Sequence, residues 1–368
     1  MLQNRHPILT ILCFPFALIY GLIIFIRNQC FNTGIFSSHE FDFPVISVGN
    51  ITVGGTGKTP HVEHIVSFLK DDFKVAVLSR GYKRKSSGFV IASTASSVEE
   101  VGDEPLQIKK KFPSVEVAVN GNRVRGIKKL RSYNRNLQSV ILDDAFQHRW
   151  VKPGISVLLI DYNQPLEDDW LLPAGRLREP VSAKSRAAIV IITKCPPDIK
   201  PIERRIIGKE LNLYPWQSLY FTTYSYGKPI PVFKDDAPGG NKEKLFAIKP
   251  FILVVTGIAM PAIFTEYLDG ISFGMEKLSF PDHHKFTESD LSNILKVWKS
   301  IDKKEKIIIT TEKDAMRFQR IRNIDPEIKQ NIYYIPISVR FVENGKDDEF
   351  KKQILHYVRD NKRNHIIS

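Results

Sequence analysis

The chain has 368 residues, of which 43% are hydrophobic and 25% are charged. This length and composition fit a folded protein of two domains and exclude a disordered or low-complexity chain. The net charge of +13 attracts anions such as nucleic acid, anionic lipid or a phosphorylated substrate. Because the basic residues are spread along the chain without a nucleic-acid-reading module, we do not expect nucleic acid as a partner.

The first predicted element is an uncharged apolar run from Ile8 to Ile26. As a helix it would be about 28 Å long, close to the ~30 Å hydrocarbon core of a bilayer. No small-residue cleavage site follows, as a signal peptide would need, and no polar stripe is present, as a buried core helix would show. We predict a membrane-anchoring helix at residues 1–27. Whether residues 8–26 span the bilayer or only insert into it stays open.

A strand from Pro44 to Val48 follows and leads into a glycine-rich turn, GNITVGGTGKTP, at residues 49–60. Glycines let backbone N–H groups converge on phosphate oxygens, and a helix N-terminus adds positive potential. A strict P-loop has glycine where this chain has Thr52. The strand before the turn and the helical pattern after it nevertheless favour a phosphate loop over an ordinary glycine-rich loop. Predicted nucleotide-binding residues are Gly54, Gly55, Thr56, Gly57, Lys58 and Thr59, with Lys58 on the phosphates and Thr59 also on Mg²⁺.

Apolar, β-branched runs then alternate with helical or loop segments as far as residue 226. Several runs are apolar at nearly every position, which is typical of strands buried on both faces of a parallel sheet. The alternation predicts a doubly wound α/β domain at residues 28–226, with its site beyond the carboxyl ends of the strands. The candidate strands are Lys74–Leu78, Val115–Val119, Ser139–Leu142, Ser156–Ile160 and Ala188–Ile192.

Two carboxylates, Asp143 and Asp144, end one of these runs. In P-loop enzymes the acidic residue at such a strand end holds Mg²⁺, although Asp is also a common turn former. We predict a metal site here and leave open which of the two contacts the ion directly. Gln147 and His148 follow at a spacing that suits residues orienting the ligands.

Other polar residues follow strands or lie in Pro/Gly loops, where sites occur in this architecture. Asp103 could serve as a general base, although an Asp-Glu-Pro turn more often starts a helix. Glu179 could add a carboxylate to the metal site. The predicted substrate-binding residues are Arg80, Tyr82, Asn122, Arg123, Gln147, His148 and Arg178.

Residues 227–248 are rich in Pro, Gly and Lys and predict a linker or exposed hairpin. The following segment, 249–368, predicts a smaller α/β domain with strands at Phe251–Thr256, Lys306–Thr311 and Ile332–Ile337. Within it, Pro281–Phe286 contains two adjacent histidines, for which a surface loop is favoured over metal ligation. A histidine there could instead relay a proton from an Asp of the other domain.

These motifs together resemble the tetraacyldisaccharide 4'-kinase family, and the resemblance covers essentially the whole chain. Thr52 is part of the family pattern, so it no longer counts against a phosphate loop. The motifs, in chain order, are VGNITVGGTGKTP, LSRGYKR, VGDEP, GNR, LDDAFQHR, LLPAGRLREP, TGIAMP, FPDHHKF and TTEKDAMRF.

The resemblance implies an ATP- and Mg²⁺-dependent kinase of lipid A biosynthesis. Such an enzyme phosphorylates the 4'-hydroxyl of a tetraacyldisaccharide 1-phosphate to give lipid IVA. It implies a membrane-bound enzyme in contact with inner-membrane lipid, which a basic surface suits. The need for nucleotide predicts the cytoplasmic face of the bacterial inner membrane, and we expect a monomer. The roles it implies are Lys58 and Thr59 in the P-loop, Asp143 and Asp144 on the metal side, Asp103 as catalytic base with His283 as its partner, and Glu179 as a further metal-side carboxylate.

An alternative is a membrane-associated regulatory ATPase or GTPase, whose loops GGTGKT also resembles. Such proteins often have Lys at the position of Val53, which argues against this alternative. A regulatory protein would hydrolyse nucleotide without a lipid acceptor, whereas a kinase would require one.

Overall fold

The computed structural model describes residues 7–167, 169–233, 248–282, 284–321 and 323–363. The chain divides into two compact units. The larger unit comprises Met1–Tyr224 and Val339–Ser368, and the smaller one comprises Ser225–Ser338. Each unit is built around its own β-sheet, as the predicted two-domain α/β organisation requires.

The larger unit contains a nine-stranded sheet in the described part of the chain, with the order β14-β8-β7-β6-β1-β5-β2-β4-β3. The seven strands from β8 to β4 in this order pair in parallel, while β3 runs antiparallel to β4. The strands are β1 Val45–Gly49, β2 Val75–Ser79, β3 Val90–Ile91, β4 Glu116–Val119, β5 Ser139–Asp143, β6 Ile155–Asp161, β7 Ile189–Thr193, β8 Ser218–Tyr226 and β14 Ile337–Phe341.

Helices cover both faces of this sheet, so the predicted doubly wound fold is confirmed. One core joins α2, α4 and α11 to one face of the sheet. Two further cores join α5 and α6 to the opposite face. The helices of this unit are α1 Pro7–Asn32, α2 Lys58–Leu69, α3 Val98–Val101, α4 Asp103–Lys111, α5 Arg123–Tyr133, α6 Pro201–Leu211, a 3₁₀ helix Val181–Arg186, and α11 Lys346–Arg363.

Among the described residues, the smaller unit has a five-stranded sheet in the order β11-β10-β12-β13-β9, parallel except for β9. Apolar cores lie on both of its faces. Its strands are β9 Ile230–Pro231, β10 Phe251–Thr256, β11 Gly274–Ser279, β12 Lys306–Thr311 and β13 Ile332–Ile335. Its helices are α7 Ala262–Ile271, α8 Glu288–Ser300, α9 Glu312–Phe318 and α10 Pro326–Asn331.

The structure differs from the predicted boundaries at the C-terminus. We predicted one domain for residues 249–368, but its last strand and helix belong to the larger unit, because β14 joins the large sheet beside β8. Phe350, Ile354 and Val358 of α11 are buried in the core that also contains α2. The predicted linker, 227–248, contains β9, and its residues 234–247 lie outside the described residues.

The N-terminal helix α1 is long and apolar enough to cross a membrane over Thr10–Asn32. Only 6% of its most apolar window is buried, whereas the core helix of a soluble protein would be mostly covered. Leu18, Leu22 and Phe25 are 60%, 59% and 58% exposed. An apolar surface of this size is typical of a contact with lipid.

Candidate active site

The phosphate loop connects β1, near the middle of the large sheet, to α2, which begins at Lys58. Gly54 and Gly57 have φ angles of 113° and 85°, a region that favours glycine. A Cβ added to Gly57 would lie 2.5 Å from the Tyr224 hydroxyl oxygen, so the position also excludes a side chain on steric grounds. Lys58 and Thr59 are the first two residues of α2, where free N–H groups and the helix dipole favour an anion.

The buried side chain of His61 holds the phosphate loop through contacts of both ring nitrogens. The Nδ1 atom of His61 lies 2.8 Å from the Gly57 carbonyl oxygen and Nε2 lies 3.0 Å from the Thr222 hydroxyl. Because a carbonyl only accepts, Nδ1 carries a proton. Burial lowers the pKa of His61 to about 4. The Thr193 hydroxyl donates to the carbonyl of Thr56 at 2.9 Å and fixes the loop at a second point.

The depressed pKa of His61 predicts a loss of stability in mild acid. The unfolded chain binds this proton near pH 6.5 and the folded chain near pH 4, so stability falls as the pH drops through that window. From pH 7 to pH 5 the free energy of unfolding should fall by about 2 kcal/mol on this account alone. Urea unfolding of wild type and His61→Gln at both pH values isolates the contribution of His61 to the pH dependence of the free energy of unfolding. An equal pH dependence in the two proteins would contradict it.

The acidic end of β5 lies beside the phosphate loop because β1 and β5 pair in parallel, with Val48 opposite Asp143. Asp143 is buried, and among the described residues neither of its carboxylate oxygens has a hydrogen-bond partner. Asp144 adopts a φ of 48°, a left-handed conformation that Asp tolerates better than most residues. Its Oδ1 lies 3.5 Å from Lys58 Nζ and 3.6 Å from Arg178 Nη1. The turn therefore directs the Asp144 carboxylate towards the loop lysine, with the buried Asp143 carboxyl next to it in the chain.

Burial and neighbouring charges separate the two aspartates. Burial raises the pKa of Asp143, and the carboxylates of Glu104 and Asp144 raise it further. For Asp144 burial also raises the pKa, but Lys58, Arg178 and Arg123 together bring it below its ordinary value. Asp144 is therefore charged at neutral pH, and Asp143 is a buried carboxyl whose ionised form a bound cation would stabilise.

This donor set fits Mg²⁺, which takes one or two protein carboxylates and completes its shell with water and substrate phosphates. The two partnerless oxygens of Asp143 are hard ligands of the required kind. In the part of the chain that the structure describes, no three His, Cys, Asp or Glu side chains form a metal-binding group. The predicted metal set of Thr59, Asp143, Asp144 and Glu179 therefore stays a prediction.

Three residues predicted to bind substrate make supporting contacts instead of lining the cavity described below. Arg123 is buried, and its guanidinium donates to the carbonyls of Asn120 at 2.9 Å and Asp143 at 3.2 Å, which fixes the end of β5. Asn122 caps α5 by accepting from the Arg125 N–H at 2.9 Å. The Nε2 atom of His148 accepts from the Arg123 N–H at 3.3 Å, and burial followed by the Arg123 charge lowers the pKa of this histidine to about 4.

A cavity of about 380 Å³ lies in the larger unit at the carboxyl end of the sheet. Six predicted residues line it: Arg80, Tyr82, Asp144, Gln147, Arg178 and Glu179. Sequence reasoning did not select its other lining residues, Tyr20, Ile24, Arg27, Ser79, Glu104 and Leu172. Tyr20 carries a hydroxyl inside an apolar run and Arg27 is the charge that ends this run, while Ser79, Glu104 and Leu172 lie in the LSRGYKR, VGDEP and LLPAGRLREP motifs. These were the signals that the sequence offered.

The two predicted proton-transfer residues have different outcomes. Asp103 is buried and is the first residue of α4, after Gly102, whose φ is 93°. The alternative that its segment starts a helix is thus confirmed, which does not exclude a catalytic role. His283 lies outside the described residues.

A glycine-rich loop between a central parallel strand and a helix that begins Lys-Thr, with an acidic strand end beside it, defines a P-loop nucleotide-binding protein. A family model described as tetraacyldisaccharide-1-P 4'-kinase, LpxK, matches residues 9–359. The chain belongs to this kinase family, as the motifs predict. Membership disfavours the alternative of a regulatory ATPase or GTPase.

Individual relatives are similar in sequence to this protein over nearly the whole chain. The tetraacyldisaccharide 4'-kinase of Phocaeicola vulgatus is 49% identical, covering 96% of this chain and 97% of the relative. That of Bacteroides thetaiotaomicron is 47% identical, covering 96% and 95%. A crystal structure of LpxK from Aquifex aeolicus in complex with ATP has a TM-score of 0.70 and 28% identity, covering 94% of this chain and 98% of that one.

Proposed function

We propose that the protein transfers the γ-phosphoryl group of ATP to the 4'-hydroxyl of a tetraacyldisaccharide 1-phosphate and so forms lipid IVA. One observation carries the proposal: the phosphate loop, the acidic end of β5 and a cationic cavity adjoin one another, with Asp144 within 3.6 Å of both Lys58 and Arg178. Family membership and the ATP complex of the Aquifex aeolicus protein support the donor and the acceptor.

In this proposal the loop N–H groups and Lys58 hold the β- and γ-phosphates. Thr59, Asp143 and Asp144 would hold Mg²⁺, which neutralises charge on the phosphates. Because phosphoryl transfer has a loose transition state, catalysis consists mostly of alignment and charge stabilisation, and the cationic side chains around Asp144 supply it. Asp103 takes the proton of the acceptor hydroxyl.

The acceptor occupies the cavity, with its phosphate near the guanidinium groups. Arg80 and Arg178 line this space, and Tyr82 is 57% exposed and available to cover a sugar face. Tyr20 and Ile24 of α1 form part of the same wall, so the acceptor's acyl chains can remain beside the helix that contacts lipid. The site thus accepts a head group without extracting the lipid from the membrane.

We infer that α1 attaches the protein to the inner membrane and that the catalytic units face the cytoplasm, where ATP is available. The apolar exposed side of α1 and the +13 charge both support attachment to an anionic membrane surface. We propose that the protein acts as a monomer.

Incubation with ATP labelled at the γ-phosphate, Mg²⁺ and the acylated disaccharide 1-phosphate tests the function directly. We expect label at the 4' position of the glycolipid, and ATP consumption only when acceptor is present. Rapid ATP hydrolysis without acceptor, with no labelled glycolipid, would contradict the proposal and favour a regulatory ATPase.

The exposed side of α1 gives a separate prediction. Replacing Leu18, Leu22 and Phe25 together by Gln should shift most of the protein from the membrane pellet to the supernatant, because about 1.5–3 kcal/mol of burial in lipid is lost per side chain. These residues do not line the cavity. Ile202 and Ile206 of α6, which are 60% and 49% exposed, provide a matched control whose replacement should leave sedimentation unchanged. Persistent membrane binding of the α1 variant would show that another surface dominates attachment.

A further inference from the structure

The membrane helix is joined to the cavity wall by polar contacts as well as by packing. The Tyr20 hydroxyl donates to the carbonyl of Arg178 at 2.9 Å. Arg27 Nη2 donates to the carbonyl of Gln147 at 2.6 Å. Both contacts join α1 to residues more than a hundred positions away in the chain. The cavity wall therefore depends on where α1 sits.

Glu179 lies at the centre of this junction. Its side chain is completely buried. Oε2 accepts from Arg186 Nη2 at 2.5 Å, and Oε1 accepts from Asn28 Nδ2 at 3.3 Å and lies 3.8 Å from Arg27 Nη1. A buried carboxylate is tolerated only when paired and hydrogen-bonded, and here both oxygens are engaged. This contrasts with Asp143, whose oxygens have no such partners among the described residues.

We propose that Glu179 is a positioning residue that fastens the membrane helix to the acceptor cavity through Arg27 and Asn28, in place of the metal-side role predicted for it. Arg186 anchors the carboxylate from the domain side, and its guanidinium also lies 4.7 Å from the centre of the Phe146 ring. The pair with Arg27 then sets the position of one cavity wall. Together with the Tyr20 and Arg27 contacts to backbone carbonyls, this carboxylate couples attachment to the membrane to the shape of the acceptor site.

The inference rests on the proposed function. A positioning role for Glu179 and a metal-ligand role predict different effects of its replacement. A metal ligand sets the Mg²⁺ concentration that transfer needs and has little effect on acceptor binding in the absence of metal. A positioning residue changes acceptor binding even without Mg²⁺ and ATP, and leaves the Mg²⁺ requirement alone.

The experiment compares wild type with Glu179→Gln, Arg27→Gln, the double variant and Arg27→Lys. Binding of the acylated disaccharide 1-phosphate in mixed micelles is measured in EDTA without ATP, and the Mg²⁺ dependence of transfer is measured separately. Glu63→Gln is the matched control, because Glu63 is a buried carboxylate paired with Lys111 at 2.6 Å and does not line the cavity.

We expect Glu179→Gln and Arg27→Gln each to weaken acceptor binding about tenfold, as loss of a charged hydrogen-bonded partner does. The double variant should lose clearly less binding than the sum of the two single losses, because both single changes break the Glu179–Arg27 pair. Each change also removes a contact of its own, Arg27 with the Gln147 carbonyl and Glu179 with Arg186, so the double variant can bind more weakly than either single variant. Arg27→Lys, which keeps the charge, should recover part of the loss, and the Glu63→Gln control should bind as wild type does. Arg27 is 29% exposed, so its variants test the pair even if Glu179→Gln does not fold.

A rise of about tenfold or more in the Mg²⁺ requirement of Glu179→Gln, with unchanged acceptor binding in EDTA, would assign Glu179 to the metal and overturn the inference. Additive losses in the double variant would overturn the pairing with Arg27. If wild type itself transfers no phosphate to the glycolipid, the proposed function fails, and that result is distinct from either of these.

Discussion

Replacement of Lys58 by alanine should lower the rate of phosphoryl transfer by about a thousandfold or more, because a cation that neutralises the transferring phosphate is worth that much in related chemistry. Lys58 is the first residue of α2 and lies 3.5 Å from Asp144. Its loss removes the cation from the phosphates and leaves Asp144 with less opposing charge. Both effects leave more negative charge beside the transferring phosphate, so the change should appear in kcat as well as in ATP affinity.

The measurement is the initial rate of label transfer at saturating acceptor, together with the melting temperature. Lys70→Ala provides the matched control, because Lys70 lies at the other end of the same helix and pairs with Asp71. That variant should keep the wild-type rate, and Lys58→Ala should melt within a few degrees of wild type. A Lys58→Ala protein that melts normally and transfers at more than a tenth of the wild-type rate would mean that the loop does not hold the reacting phosphates.

The phosphate loop and the acidic strand end could be predicted because their signals are local. A glycine turn between a strand and a helix is recognisable within a dozen residues. Asp143 and Asp144 follow an apolar strand, and parallel strands bring their carboxyl ends to one edge of the sheet. Topology alone therefore implied that the aspartates and the loop meet. The register, Val48 opposite Asp143, confirms it.

Side-chain direction could not be predicted in the same way. Arg123 follows a strand, as an anion-binding arginine would, yet its guanidinium turns inward to backbone carbonyls near Asp143. Sequence gives the position of such a residue but does not say whether the nearest unsatisfied acceptor is a ligand or the protein's own backbone. Glu179 shows the same limit, since its pairing with Arg27 is set by how α1 packs against residues far away in the chain.

The contribution of α1 to the cavity was also beyond sequence reasoning. An apolar run of this length predicts a lipid contact on physical grounds. Such a run does not predict that one side of the helix also contributes to a binding cavity. In the structure, Tyr20, Ile24 and Arg27 of α1 line the cavity, while the exposed side of the helix suits lipid. The return of β14 and α11 to the larger unit has a related cause. Phe350, Ile354 and Val358 have helical spacing, and this periodicity fixes a buried stripe but not the core that receives it.

Replacement of Asp103 by alanine should lower kcat by about a hundred- to ten-thousandfold, the usual contribution of a general base. Nucleotide affinity should change little, because Asp103 begins α4 and the phosphates are held by the loop before α2. This separation distinguishes it from Lys58→Ala, which should lower both. The measurements are single-turnover transfer and equilibrium binding of ATP.

Glu104, the carboxylate next to Asp103 in the chain, provides the comparison for the Asp103→Ala variant. Glu104 lines the cavity and raises the pKa of Asp143, whereas Asp103 is not among the lining residues. Glu104→Gln is therefore the matched variant, and we expect it to weaken acceptor binding modestly while keeping most of the transfer rate. If Asp103→Ala transfers at the wild-type rate and Glu104→Gln does not, the base is Glu104. In that case Asp103 serves only as the first residue of a buried helix.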